Sequence, residues 1–95
     1  MSSESEPAQV SINVLYFAAA STATRLSHEL VPVPARLRLS SLADILVARH
    51  PNATSLRKIL EGSKWSVDAE MVDDPEEVEL KGGEDVAVIC PVSGG

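Results

Sequence analysis

The 95-residue sequence predicts an α+β domain: one mixed sheet of four to five strands served by one main helix. Two observations carry that expectation. Period-two alternation or short apolar runs recur near both ends of the chain, and one segment in the middle has the 3.6 period of an amphipathic helix. A third, the length itself, fits one core and leaves no room for two.

The first strand is VSINVLYF, where Val10, Ile12, Val14 and Tyr16 alternate with Ser11 and Asn13 before Leu15 and Phe17 make its far end apolar on both sides. The small-residue stretch AAASTATRLS reads as the connection to HELVPVPARLRLS, whose Leu30, Val31 and Val33 stand among prolines and suit an edge strand. These two strands make a first hairpin. In SSLADILVARHP the Ser41-x-x-Asp44 spacing reads as a capping box, Leu42, Ile45 and Leu46 mark the buried face, and Pro51 stops the helix near His50. A short helical piece, SLRKILEG, ends at Gly62.

KWSVDAEMV then alternates as one strand, placing Trp65, Val67, Ala69 and Met71 on one face. DDPEE is a turn, VEL a short strand, KGGED a Gly-Gly turn, and VAVICPV a last strand, apolar on both faces and therefore central. One helix cannot cover both faces of such a sheet. Leu15, Phe17, Ala87 and Ile89 on one side, and Tyr16, Val88 and Cys90 on the other, leave one apolar face as a partner surface.

Composition narrows the function classes. The formal charge of −6, without any Lys/Arg-rich run, argues against nucleic-acid binding and for docking on a basic protein partner. No apolar run is long enough to cross a bilayer. The lone Cys90 excludes an internal disulfide, and no Cys/His set has metal-ligand spacing, so no metal is expected. MSSESEPA lacks the features of a signal or transit peptide, which makes the cytosol the expected compartment. Residues 1–9 read as a disordered acidic tail, 10–91 as the domain and 92–95 as a flexible C-terminal tail.

The opening INVLYFAAA, the helix SLADILVARHP and the closing LKGGEDVAVICPVSGG together resemble the small, sulfur-carrying subunit of molybdopterin synthase, the MoaD-type family. The likeness runs over residues 10 to 95 and is most specific at the end. There the family's turn of the L-x-x-G-D-E-V kind is LKGGEDV, with the acidic pair reversed at Glu84-Asp85. Cys90 stands where a proline is usual, and Pro91-Val92-Ser93-Gly94-Gly95 keeps the family's pattern. The resemblance implies the ubiquitin-like β-grasp fold.

It also implies a chemistry. A carboxylate is a poor sulfur carrier, so the Gly95 carboxylate would be adenylated with ATP by a ubiquitin-activating-type adenylyltransferase, and sulfur would then replace AMP to give a thiocarboxylate. No cofactor would be bound by this chain itself. Gly94 and Gly95, without side chains, would enter a narrow channel extended, and the five residues from Pro91 reach about 17 Å. The implied partner is the large synthase subunit, which would supply the active-site side chains and bind cyclic pyranopterin monophosphate. Two small and two large subunits would form the assembly that builds the dithiolene of molybdopterin. On this reading the chain is a sulfur-donating subunit without catalytic side chains of its own.

Phe17, Met71 and Ile89 are the expected interface residues. Cys90 reads as a small hydrophobe and Trp65 as core. His28 and His50 read as surface histidines, and Asp73-Asp74 with Glu76-Glu77 as a solvated turn. The alternatives are a sulfur carrier for thiamine synthesis or tRNA thiolation, and a ubiquitin-like modifier that joins Gly95 to lysines.

Overall fold

The computed structural model describes residues 9–90. Strand β1 (Gln9–Tyr16) leads into helix α1 (Ala18–Thr24), then β2 (His28–Pro34), β3 (Leu37–Arg38), α2 (Leu39–Arg49) and α3 (Leu56–Glu61). β4 (Lys64–Val67), β5 (Glu70–Val72), a 3-10 turn at Pro75–Glu77, β6 (Glu79–Leu80) and β7 (Asp85–Ile89) complete the order. Five strands form one sheet in the order β2-β1-β7-β4-β5, and β3 pairs with β6 in a small second sheet. β1 and β7 run parallel while the other neighbours are antiparallel, so the sheet is mixed. This is the β-grasp arrangement, with β7 central and β2 an edge, as their sequences require.

The core follows from alternation. Ile12, Val14 and Tyr16 of β1, Val31 and Val33 of β2, and Val86 and Val88 of β7 are buried on one sheet face. Leu42 and Leu46 of α2 and Leu56 and Leu60 of α3 pack against them. Burying each of these aliphatic side chains stabilises the fold by about 2 kcal/mol. β1 begins at Gln9, paired with Pro34, one residue earlier than the expected tail boundary.

Three local expectations are corrected. AAASTAT is a helix, not a plain connection: alanine has the highest helix propensity, and the Thr24 hydroxyl donates back to Ala20 O at 2.9 Å. Only Ala20 of this helix is buried, so no apolar period announces it. Secondly, Ser41 and Asp44 do not cap α2, which begins at Leu39 with Arg38 at the N-cap and no side-chain cap bond. Instead the Leu39 N–H donates to Val78 O at 2.9 Å, so the strand region around β6 satisfies an orphan donor of the helix. Asp44 meets Arg57 at 3.2 Å.

Thirdly, KWSVDAEMV is a hairpin. Asp68 and Ala69 both have positive φ, 51° and 71°, the geometry of a two-residue type I′ turn, and Trp65 pairs with Val72, Ser66 with Met71 and Val67 with Glu70. Trp65 therefore lies on the covered face, 7% exposed, while Met71 lies on the opposite face, 55% exposed.

Candidate functional site

Among the described residues no helix covers the second face of the sheet, which is bare in that sense, and registers place its side chains in rows. Because Tyr16 pairs with Val88, Phe17 stands beside Ile89, and Lys64 pairs with Ile89 on the next strand. The second row crosses the whole sheet: His28, Leu15, Ala87, Ser66 and Met71 are successive partners. The third runs from Leu30 through Asn13 to Asp85. Apolar surface thus gathers at the end of the sheet from which β7 leads into residues 91–95.

A shallow depression of about 520 Å³ forms there between Leu15, Phe17, Ala87 and Ile89, with Ser66 and Asp85 in its wall. Phe17 is half exposed at 50% although it is large and apolar, which is costly surface for an isolated chain. Ala18 holds φ of 53°, turning the chain out of the sheet directly after Phe17 and leaving that side chain on the bare face. The polar rim is fixed: the Asn13 Nδ2 donates to Asp85 Oδ1 at 3.3 Å, and the Asp85 N–H donates to Asp68 Oδ1 at 3.0 Å.

Cys90 joins this face to the residues that follow it. It packs against the core, its thiol donates to the Phe17 carbonyl at 3.4 Å, and the Ser63 hydroxyl, which donates to the Ile59 carbonyl at 2.6 Å, lies 3.6 Å from its sulfur. Both contacts suit a small packed side chain. Pro91, Val92, Ser93, Gly94 and Gly95 lie outside the described residues. Among the described residues no group of three or more His, Cys, Asp or Glu is arranged to hold a metal, and no helix is long and apolar enough to cross a membrane.

Of the expected interface residues, Phe17 and Ile89 are neighbours. Met71 shares their face but stands two strands away, beyond Ala87 and Ser66. Sequence reasoning missed Ser66, Asp68 and Leu30 as members of this face. The first two follow from the unrecognised hairpin, and Leu30, 68% exposed, is shown by its pairing with Asn13.

It also missed a partly buried polar cluster under the same end of the sheet, which corrects the reading of His50 as a surface residue. Its side chain is 16% exposed, with Nε2 2.6 Å from Glu29 Oε2, and its ring lies edge-on to Tyr16 at 6.1 Å. The carboxylate only accepts, so Nε2 carries the proton in this bond. The Tyr16 hydroxyl donates to the same oxygen at 2.5 Å, and Arg49 donates to Oε1 at 3.1 Å. Burial alone would raise the Glu29 carboxyl, but the bonds from Tyr16, His50 and Arg49 outweigh it and hold the group below its ordinary range. Burial, then the bond to Glu29 and its charge, push the Tyr16 phenol well above its ordinary value. The cluster ties β1, β2 and the end of α2 together.

The ThiS family model matches residues 14–95. A molybdopterin synthase sulfur carrier subunit from Mycosarcoma maydis is 39% identical over 88 residues, covering 90% of this chain and 94% of that relative. SAMP1 from Haloferax volcanii superposes with a TM-score of 0.73 at 21% identity, covering 90% of this chain and 99% of that one. A chain from the complex of subunits 1 and 2 of molybdopterin-converting factor from Helicobacter pylori superposes at 0.58 and 19% identity, covering 90% and 100%. The two solved structures share the fold.

Proposed function

The chain belongs to the ThiS family, with molybdopterin synthase sulfur carrier subunits among its relatives, and we propose that it serves as that subunit, carrying sulfur on Gly95. One observation carries the reading: the family match extends through Pro91-Val92-Ser93-Gly94-Gly95, which follow in sequence on β7, a central strand of the sheet, and Cys90.

The chemistry asked of the chain is small. The Gly95 carboxylate attacks the α-phosphorus of ATP on a ubiquitin-activating-type adenylyltransferase, pyrophosphate leaves, and the mixed anhydride makes the acyl carbon electrophilic. Hydrosulfide then attacks the acyl carbon, the C–O bond to the phosphate breaks with AMP taking its electron pair, and Gly95 is left as a thiocarboxylate. The large subunit then receives the segment from Pro91 to Gly95, and sulfur passes to cyclic pyranopterin monophosphate on the way to the dithiolene. The apolar bare face, with Phe17, Met71 and Ile89, docks on that subunit in a heterotetramer of two small and two large subunits. The setting is the cytosol.

The test is the intact mass of the protein from its native cells, with and without its activating enzyme. Replacement of one oxygen by sulfur at Gly95, and conversion of the cyclic pterin precursor on adding large subunit, are the expected results. Deleting Gly95 should abolish that conversion while leaving unfolding unchanged. An unaltered mass with Gly95 linked to lysines would make the chain a protein modifier and overturn the reading.

A further inference from the structure

The two edges of the five-stranded sheet differ in what their backbones offer. The Tyr16 N–H donates to Ser27 O and the Asn13 N–H donates to Glu84 O, so even residues of β1 bond toward β2 and odd ones toward β7. Ser11 and Gln9 are odd, and their partners across β2 are Pro32 and Pro34. Both proline nitrogens therefore point out of the sheet, at two of the four outward positions of β2, His28 and Leu30 being the other two. That edge is closed to strand addition along half its length.

β5 is built the other way. The Asp68 N–H donates to Asp85 O, so Ser66, in phase with Asp68, bonds toward β7, while Val67 and Trp65 bond toward Glu70 and Val72. Met71, opposite Ser66, turns both its N–H and its C=O outward, and no proline occurs from Glu70 to Asp74. Its side chain ends the row that crosses the bare face through Leu15, Ala87 and Ser66. Beside this edge a groove of about 480 Å³ reaches from Val67 of β4 past Met71 and Val72 to Val78, with the acidic residues Asp68, Glu70, Asp73, Asp74 and Glu77 and no basic residue in its wall.

We propose that a strand of the docking partner adds to the sheet at β5, pairing with the outward N–H and C=O of Met71. This rests on the reading that the chain docks on a large synthase subunit. The partner strand carries an apolar side chain that continues the row Leu15, Ala87, Ser66, Met71, and Lys or Arg beside it that meet the carboxylates of the groove. A second copy of this chain fits poorly, since pairing β5 with itself brings two sets of carboxylates together.

Amide exchange, read residue by residue by NMR on the chain alone and in complex with the large subunit of the same organism, tests this. In the complex the Met71 amide should slow by about tenfold or more while the Leu30 amide on the opposite edge stays unchanged. Met71→Pro, which removes the outward N–H without breaking a ladder bond to β4, should weaken binding by about tenfold beyond Met71→Ala. A complex that forms with Met71 exchanging as in the free chain overturns the inference and leaves the sulfur-carrier reading intact. Protection of Met71 in the free chain together with a dimeric mass overturns it in favour of a second copy. Failure to form any complex removes the reading and this inference with it.

Discussion

Replacing Gly82 by alanine should be the most damaging of the glycine substitutions in this fold, and its cost can be worked from two separate causes. Gly82 has φ of +115°, a region that L-residues resist, and a Cβ there would stand 2.8 Å from Val10 Cβ and 3.1 Å from Val10 Cγ1. Val10 Cβ is fixed to the β1 backbone, so it cannot swing aside as the end of a long side chain would. Backbone strain costs about 1–3 kcal/mol and overpacking about 1–3 kcal/mol more. A loss of about 2–6 kcal/mol is a large share of the roughly 5–15 kcal/mol that holds a domain together.

Gly83 is the control. Its φ is +84° but a Cβ meets nothing within 4 Å, so Gly83→Ala carries strain alone, about 1–2 kcal/mol. Gly62 has neither problem, its nearest atoms being 4.0 Å away, and Gly62→Ala should be neutral or more stable by up to about 1 kcal/mol. All three alanines restrict the unfolded chain alike, so that contribution cancels in the differences. Urea unfolding at equal m-value reads the series directly. If Gly82→Ala and Gly83→Ala fall within about 0.5 kcal/mol of each other, the contact with Val10 is not what requires glycine at 82, and the steric reasoning is refuted. The turn launches β7: Glu84 accepts from the Lys81 and Gly82 N–H groups at 2.7 Å each, and the Gly83 N–H donates to Ser11 O at 2.8 Å.

Three further outcomes are expected. Glu29→Gln should cost about 1–3 kcal/mol at neutral pH, because three donors lose an ionised acceptor in a mostly buried site. The folded Glu29 carboxyl lies below its ordinary 4.5, so its contribution is complete above about pH 4.5 and is lost as pH falls through the lower folded value. Urea midpoints of the native protein measured downward from pH 6 should show that loss, and Glu29→Gln should lack it. Phe17→Asp should leave the urea midpoint nearly unchanged, since the ring is half exposed, while weakening large-subunit binding in calorimetry by about tenfold or more. Cys90→Ser should keep sulfur transfer and change stability by less than about 1 kcal/mol; complete loss of transfer in a folded variant would give the thiol a chemical role that its contacts with Phe17 and Ser63 do not suggest.

What was legible in the sequence, and what was not, follows from how each feature is encoded. β1 and β7 write burial directly into alternation and apolar runs, and the prolines of β2 mark it as an edge, so the sheet and its bare face could be read locally. α1 could not, because a helix that buries only Ala20 has no apolar period to show. The β4–β5 hairpin was hidden for a subtler reason. A two-residue turn leaves the alternation of the sequence unbroken while it reverses which parity faces which side, so Trp65 and Met71 look like companions and end on opposite faces. Asp68-Ala69 also lacks the glycine that usually announces such a turn. The Tyr16, Glu29, His50 cluster joins residues as far as 34 positions apart (50 − 16), and no local pattern encodes it.

The corrected faces bear on how the carrier works. With Met71 but not Trp65 on the bare side, that side carries exposed apolar side chains at both Phe17 and the β5 edge, with Ser66 between them, while the indole stays in the core. Docking there also locates the start of the C-terminal segment, because the Cys90 thiol is bonded to the carbonyl of Phe17. A partner that grips Phe17 and Ile89 therefore fixes Cys90 as well. From that point the five residues to Gly95 span at most about 17 Å. On the proposed sulfur-carrier reading the large subunit's active site opens within that distance of the contact with Phe17, and lengthening the segment by two glycines after Val92 should lower the rate of sulfur transfer in single-turnover assays while leaving binding unchanged. Equal rates would mean that the distance from the docked face does not limit delivery, and the rigid coupling through Cys90 would have no functional consequence.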